Sequence, residues 1–152
     1  MTEPILLDEQ LCFAVYRAQK QFNKYYTFAL APFQLTYPQY IVLLTLWEHK
    51  TLTVNDLGHY LHLDSGTLTP LLKRLEKDGW VNRKRDKVDE RRVIITLTAK
   101  AQQQRNVIFD RVNSCQEKLG FSYDEYKQLM TAANQITEHL TNFTNKATTL
   151  QH

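Results

Sequence analysis

Residues 63–98 read LDSGTLTPLLKRLEKDGWVNRKRDKVDERRVIITLT, and this one stretch holds a helix, its stop and a ribbon. Asp64 or Ser65 caps the helix, since a short side-chain oxygen can accept from the free N–H groups of a first turn. The helix is expected to run to Asp78 and to close at Gly79. Beyond it, Val81 on one side and Val93, Ile94, Ile95 and Leu97 on the other flank a charged turn, the pattern of a two-stranded ribbon. Small residues, Ser65, Gly66, Thr67 and Thr69, crowd the N-terminal half of the helix and leave its backbone open to a close approach. A helix start of this kind also offers free N–H groups to a phosphate.

Charge supports the same use of the stretch. From Lys73 to Arg92 nine basic residues stand against five acidic ones, a local charge of +4 in a chain whose net charge is +3, so the remainder is −1. A basic surface on a balanced chain suits phosphate binding, although an ordinary solvated face also carries such runs. Lys73 and Arg74 on the helix, with Arg83, Arg85, Lys87 and Arg91 on the ribbon, are the candidate DNA-binding cations.

Working back toward the N-terminus, Thr53 and Asp56 form a capping box for a short helix ending near Leu61. Thr36 with Gln39 forms another, with Pro38 in the first turn where its missing N–H is harmless, and YIVLLTLWEH after it reads as a buried helix. Residues 8–31 place Leu11, Val15, Ala18, Phe22, Tyr26 and Ala29 at three- and four-residue steps, a long amphipathic helix stopped by Pro32. Toward the C-terminus a helix resumes after Thr98 to about Leu119. A last one opens at Ser122 with Glu125 three residues on, carries Tyr126, Leu129, Met130, Ala133, Ile136, Leu140 and Phe143 on one face, and is expected to fray from Thr144.

The expected fold class is therefore mainly α with a small two-stranded β-wing, a winged helix-turn-helix. A single domain spans 1–152, with the DNA-binding core at 34–99 and dimerisation helices at 8–31 and 100–147, whose apolar stripes so small a core cannot cover. MTEPILLDEQ lacks the basic flank and apolar run of an export signal, and no 18-residue apolar run occurs, so a cytoplasmic location is expected. No Gly-x-Gly-x-x-Gly or P-loop is present. His59 and His62 lack a nearby set of cysteine or carboxylate partners, so neither metal nor cofactor is expected.

Two cysteines remain, Cys12 and Cys115, too few for a disulfide-stapled secreted scaffold. Cys12 falls about one turn into a helix opening near Asp8, where the helix dipole favours a thiolate and Asp8 and Glu9 oppose it. On residues alone Cys12 is either redox-active or an apolar filler. Around Cys115, the polar Asn113, Ser114, Gln116 and Glu117 argue against deep burial.

LDSGTLTPLLKRLE followed by RKRDKVDERRVIITLT resembles the winged-helix core of MarR-type repressors, with the Asp-x-Arg wing motif as Asp89 and Arg91. QLCFAVY and LTYPQYIVLLTLWEH are similar to the branch of organic hydroperoxide resistance regulators. That resemblance implies a homodimer that binds pseudopalindromic operator DNA when reduced and releases it when organic hydroperoxide oxidises Cys12. Tyr26 and Tyr37 fall on positions that hold the thiolate in that branch, Tyr16 on a third tyrosine position. Cys115 resembles the resolving cysteine of two-cysteine members, in which it acts on the other subunit's sulfenic acid; a structural role stays open. A MarR-type repressor released by a phenolic or other small ligand is the alternative. A thiol peroxidase is a third reading, which leaves the basic wing without a purpose; the expectation is a regulator and not an enzyme.

Overall fold

In the computed structural model, which describes residues 5–149, the first helix is interrupted at its start. Leu7–Glu9 makes a 3-10 turn, Gln10 is extended, and α1 (Leu11–Leu30) begins after it. Residues 1–4 and 150–152, which belong to the export-signal and 1–152 domain readings, lie outside the described residues. A second 3-10 turn, Ala31–Phe33, contains Pro32, and left-handed Gln34 (φ 54°) redirects the chain.

Local capping then sets each helix start. Ahead of α2 (Tyr37–His49), the Gln39 N–H donates to Thr36 Oγ1 at 3.4 Å and the Thr36 N–H donates to Gln39 Oε1 at 3.0 Å. After β1 (Thr51–Thr53), α3 (Val54–Leu61) opens with the reciprocal pair of Thr53 and Asp56. Asp64, rather than Ser65, caps α4 (Ser65–Lys77), accepting from the Thr67 N–H at 2.7 Å. That helix stops at Lys77, one residue short of the expected Asp78, and the chain turns away at Gly79 (φ 79°), with the Trp80 N–H reaching back to the Leu75 carbonyl at 2.9 Å.

β2 (Val81–Arg85) and β3 (Val93–Leu97) form the expected ribbon, but the sheet has a third strand. The order is β1-β3-β2, all antiparallel, with Leu52 opposite Ile95 and Ile95 opposite Arg83. β1 exists because β3 offers its free edge to it; three residues have too little pattern of their own to be read as a strand.

These elements close over Leu43, Leu46, Leu57, Leu68, Leu72, Leu75 and Ile95, all fully buried. Each such side chain contributes about 1.5–3 kcal/mol of transfer free energy. α5 (Ala99–Glu117) is tied to α2 by the Trp47 indole, which donates to the Ala101 carbonyl at 3.3 Å. Tyr25 on α1 donates to the Val112 carbonyl at 3.0 Å.

The chain divides between Ser114 and Cys115 into two compact units. In the second, Ser122 and Glu125 form the expected capping box of α6 (Tyr123–Thr149). The helix does not fray at Thr144: it continues to Thr149, with the Thr144 and Thr148 hydroxyls donating to carbonyls four residues back. Leu129, Met130, Leu140 and Phe143 are exposed along it, as Leu11, Val15, Phe22 and Phe28 are along α1.

Candidate nucleic-acid interface and thiol site

α4 turns Leu68, Leu72 and Leu75 into the core at four- and three-residue steps. That orientation leaves Ser65, Gly66, Thr67, Lys73 and Arg74 exposed and Thr69 half-buried. Pro70 lies inside this helix, a feature the sequence reading passed over. It has no N–H to donate to the Gly66 carbonyl, so one intrahelical bond is missing in the same turn as the small residues.

The wing sorts its cations by strand alternation. Val81 is buried, so Arg83, two residues on, falls on the same face and is drawn inward. Its guanidinium meets Glu76 of α4 at 3.4 Å with its side chain only 20% exposed, and Nε is buried without a hydrogen-bond partner. Arg83 thus braces the wing against α4. Lys84, which the sequence reading did not select, is exposed, as are Arg85 and Lys87.

At the tip, Asp89 Oδ1 accepts from both the backbone N–H and Nε of Arg91, at 3.1 and 3.2 Å. The Arg91 side chain is 92% exposed while this carboxylate fixes its stem. Asp86 pairs with Arg92 at 3.7 Å and accepts from the Val88 N–H at 3.0 Å.

Cys12 is the second residue of α1, nearer the helix start than the sequence suggested, and is exposed. Its thiol donates to Gln10 Oε1 at 3.6 Å, while Gln10 Nε2 donates to the Ile5 carbonyl at 3.3 Å. Tyr16 is exposed one turn on, with Lys20 Nζ 5.3 Å from its ring centroid. The Tyr26 and Tyr37 rings meet at 4.3 Å, and Tyr25 and Tyr40 pack on Tyr26 at 4.8 and 5.9 Å. Burial raises Tyr37 above the ordinary phenol value. Tyr40 is pushed up to about 12, by burial first and then by the charges Tyr25 and Tyr37 would carry. Tyr37 and Tyr40 therefore stay protonated near neutral pH and remain donors.

Tyr26 and Tyr37 come together, but Cys12 does not join them within one chain. From Cys12 to Tyr26 along α1 is fourteen residues, about 21 Å of helix axis. Cys115 also departs from expectation, being buried at 6% exposure despite its polar sequence neighbours. At four- and three-residue steps Ile108, Val112 and Cys115 share one face of α5, so helical periodicity outweighs adjacent polarity. Both thiols are free. Among the described residues no group of three or more His, Cys, Asp or Glu could hold a metal ion, and no helix is long and apolar enough to cross a membrane.

The sequence pattern of the family "Transcriptional regulator SarA/Rot" matches residues 24–112, more than half of the chain. The HTH-type transcriptional regulator TtmR of Methylorubrum extorquens is 59% identical over 98 residues, 64% of this chain and 50% of that protein. The organic hydroperoxide resistance transcriptional regulator of Bacillus subtilis is 53% identical over 92 residues, 60% of this chain and 63% of that protein. The matched part of this chain thus spans about half to two thirds of these two relatives. The reduced, DNA-bound structure of AbfR, a Staphylococcus epidermidis protein, is 45% identical with a TM-score of 0.77, covering 89% of this chain and 94% of that one. Its disulfide-formed structure is 44% identical with a TM-score of 0.69, covering 90% and 92%.

Proposed function

This chain belongs to the SarA/Rot family of transcriptional regulators, and we propose that within it the protein is a cytoplasmic, homodimeric, thiol-based repressor that binds operator DNA when reduced and releases it when organic hydroperoxide oxidises Cys12. The observation that carries this reading is an exposed thiol at the start of α1, a helix whose Leu11, Val15 and Phe22 also stand exposed. An apolar face of this kind calls for a second copy, joined through segments 8–31 and 100–147, and a two-fold dimer presents two copies of α4 to two half-sites.

Residues 34–99 supply the DNA contacts. Ser65, Gly66, Thr67 and Thr69 bring the α4 backbone to the groove, Lys73 and Arg74 hold phosphates, and Asp89 aims Arg91 into the minor groove. Arg85 and Lys87 add phosphate attraction, whereas Arg83 contributes mainly by bracing the wing.

For sensing, the Cys12 thiolate attacks one peroxide oxygen: an S–O bond forms, the O–O bond breaks, and the alkoxide leaves as the alcohol with the thiol's former proton. Cys12 becomes a sulfenic acid. Since Tyr26 and Tyr37 cannot reach the thiol of their own chain, the phenols that support it come from the other copy. Tyr16 stands one turn from Cys12 as a third supporting phenol. Cys115 of the partner subunit then attacks the sulfenyl sulfur, water leaves, and an intersubunit disulfide forms. Because Cys115 is buried in the reduced chain, reaching it requires rearrangement of the helices, which alters the spacing of the two α4 helices. AbfR has both a reduced DNA-bound and a disulfide-formed structure, which supports assigning these two states here.

Purified protein bound to operator DNA, treated with one equivalent of organic hydroperoxide and then with dithiothreitol, tests this. The expected result is release and rebinding, with a covalent dimer on a non-reducing gel that Cys115→Ser lacks. DNA binding indifferent to the oxidant removes the sensing role.

A further inference from the structure

The tip of the wing, residues 86–92, reads DKVDERR, six charged residues and one valine. Three of the six are acidic and three basic, so the tip as a whole carries no net charge. Four of its charged residues are also bonded internally. Asp86 accepts from the Val88 N–H at 3.0 Å and pairs with Arg92 at 3.7 Å. Asp89 holds Arg91 at 3.1 and 3.2 Å, the Asp86 N–H donates to the Arg92 carbonyl at 2.9 Å, and the Arg92 N–H donates to the Asp89 carbonyl at 2.9 Å. Two aspartates therefore stiffen a seven-residue turn.

At this stiff turn Val88 is 96% exposed, the most exposed large apolar side chain among the described residues. It lies three residues before Arg91, whose side chain is 92% exposed. A valine fully covered on folding contributes about 1.5–3 kcal/mol, and this turn leaves its isopropyl group almost wholly exposed.

We propose that Val88 is a specificity-determining residue of DNA binding: it packs on the minor-groove floor beside Arg91 and selects A·T over G·C at the base pair beneath the wing tip. This rests on the regulator reading above and adds a residue to it. The minor-groove edge of A·T carries only acceptors and is narrow, whereas G·C places the guanine N2 amino group there as a donor. An isopropyl group covers that donor without offering an acceptor, and a covered unsatisfied donor is penalised. A·T beneath the tip leaves no such donor uncovered. The contact is uncharged, so it changes sequence preference without changing the number of ions released on binding.

The test begins with duplexes selected from a random library by the purified wild-type protein, whose preferred site is then made with A·T or G·C at each position flanking the half-sites. Affinities are measured for wild type, Val88→Ala and Val88→Asn across a salt series. Wild type should prefer A·T at one flanking pair by about tenfold. Val88→Ala should reduce that ratio, and Val88→Asn, which supplies an acceptor to the guanine amino group, should bring it below about threefold. The salt slope should be the same in all three. Since the side chain is 96% exposed, an unchanged melting temperature is expected and shows that both variants are folded. A full tenfold preference retained in Val88→Asn, or no A·T preference in wild type, overturns the role of Val88 while leaving the regulator reading standing. A wild-type protein that enriches no sequence from the library overturns both.

Discussion

Leu46 and Leu140 are the same side chain on two helices of one chain, yet the first is fully buried in α2 and the second is 62% exposed on α6. Around Leu46 the residues of α2, α3, α4 and the sheet bury one another without help from a second molecule. Around Leu140 the apolar residues have the right spacing for a core and no cover of their own. In the proposed dimer these two regions divide the labour: the self-packed region around α4 holds its shape alone, and the exposed helices take their cover from a second copy. Cys12 lies among the exposed apolar residues of α1, and under the proposed function its oxidation acts on the packed region through the second copy.

The sharpest way to break this comparison is to shorten both leucines. Leu46→Ala should destabilise the chain by about 2–5 kcal/mol in urea unfolding, since it leaves a cavity among packed neighbours. In dilute monomer Leu140→Ala should change stability by less than about 0.5 kcal/mol and instead weaken self-association in sedimentation. Equal losses of monomer stability would deny the difference between the regions.

Gly58→Ala probes how closely the self-packed region is filled. A Cβ there would stand 2.8 Å from the Leu63 carbonyl oxygen, a backbone atom that accepts no easy displacement. The expected loss is about 1–3 kcal/mol, read from the thermal midpoint. Arg91→Ala asks a different question of the same region, because its side chain is 92% exposed. Operator affinity should fall by about 1–3 kcal/mol with folding stability unchanged.

A smaller effect belongs to the α3 cap. Thr53→Ala should remove about 1 kcal/mol of stability. The bonds from Thr53 hold the Asp56 carboxyl below its ordinary range. Its contribution is thus present above the unfolded carboxylate value and is lost as pH falls through the lowered one. Unfolding measured from neutral to acid pH should show that part of the pH dependence shrinking in Thr53→Ala.

What was legible in the sequence was local. The capping pairs of Thr36 with Gln39, Thr53 with Asp56 and Ser122 with Glu125 form as their three-residue spacing suggested, because both partners lie in one turn. Features that depend on distant partners were missed or misjudged. β1 needs the edge of β3, Arg83 is drawn inward by its register with Ile95 and by Glu76, and Cys115 follows the buried face of α5 instead of its polar neighbours. The sequence motifs singled out Cys12, Tyr26 and Tyr37, but the length of α1 separates the thiol from Tyr26 within a single chain. In the proposed function it is a second copy that brings these phenols to the thiol.

The proposed dependence of DNA binding on Cys12 is tested most directly by titrating operator DNA with wild type and Cys12→Ser, each before and after one equivalent of organic hydroperoxide. The hydroxyl keeps the shape of the thiol and lacks its nucleophilicity. Both proteins should bind equally when reduced, and after oxidant only wild type should lose affinity. A Cys12→Ser protein that leaves DNA on peroxide addition as wild type does would contradict the account.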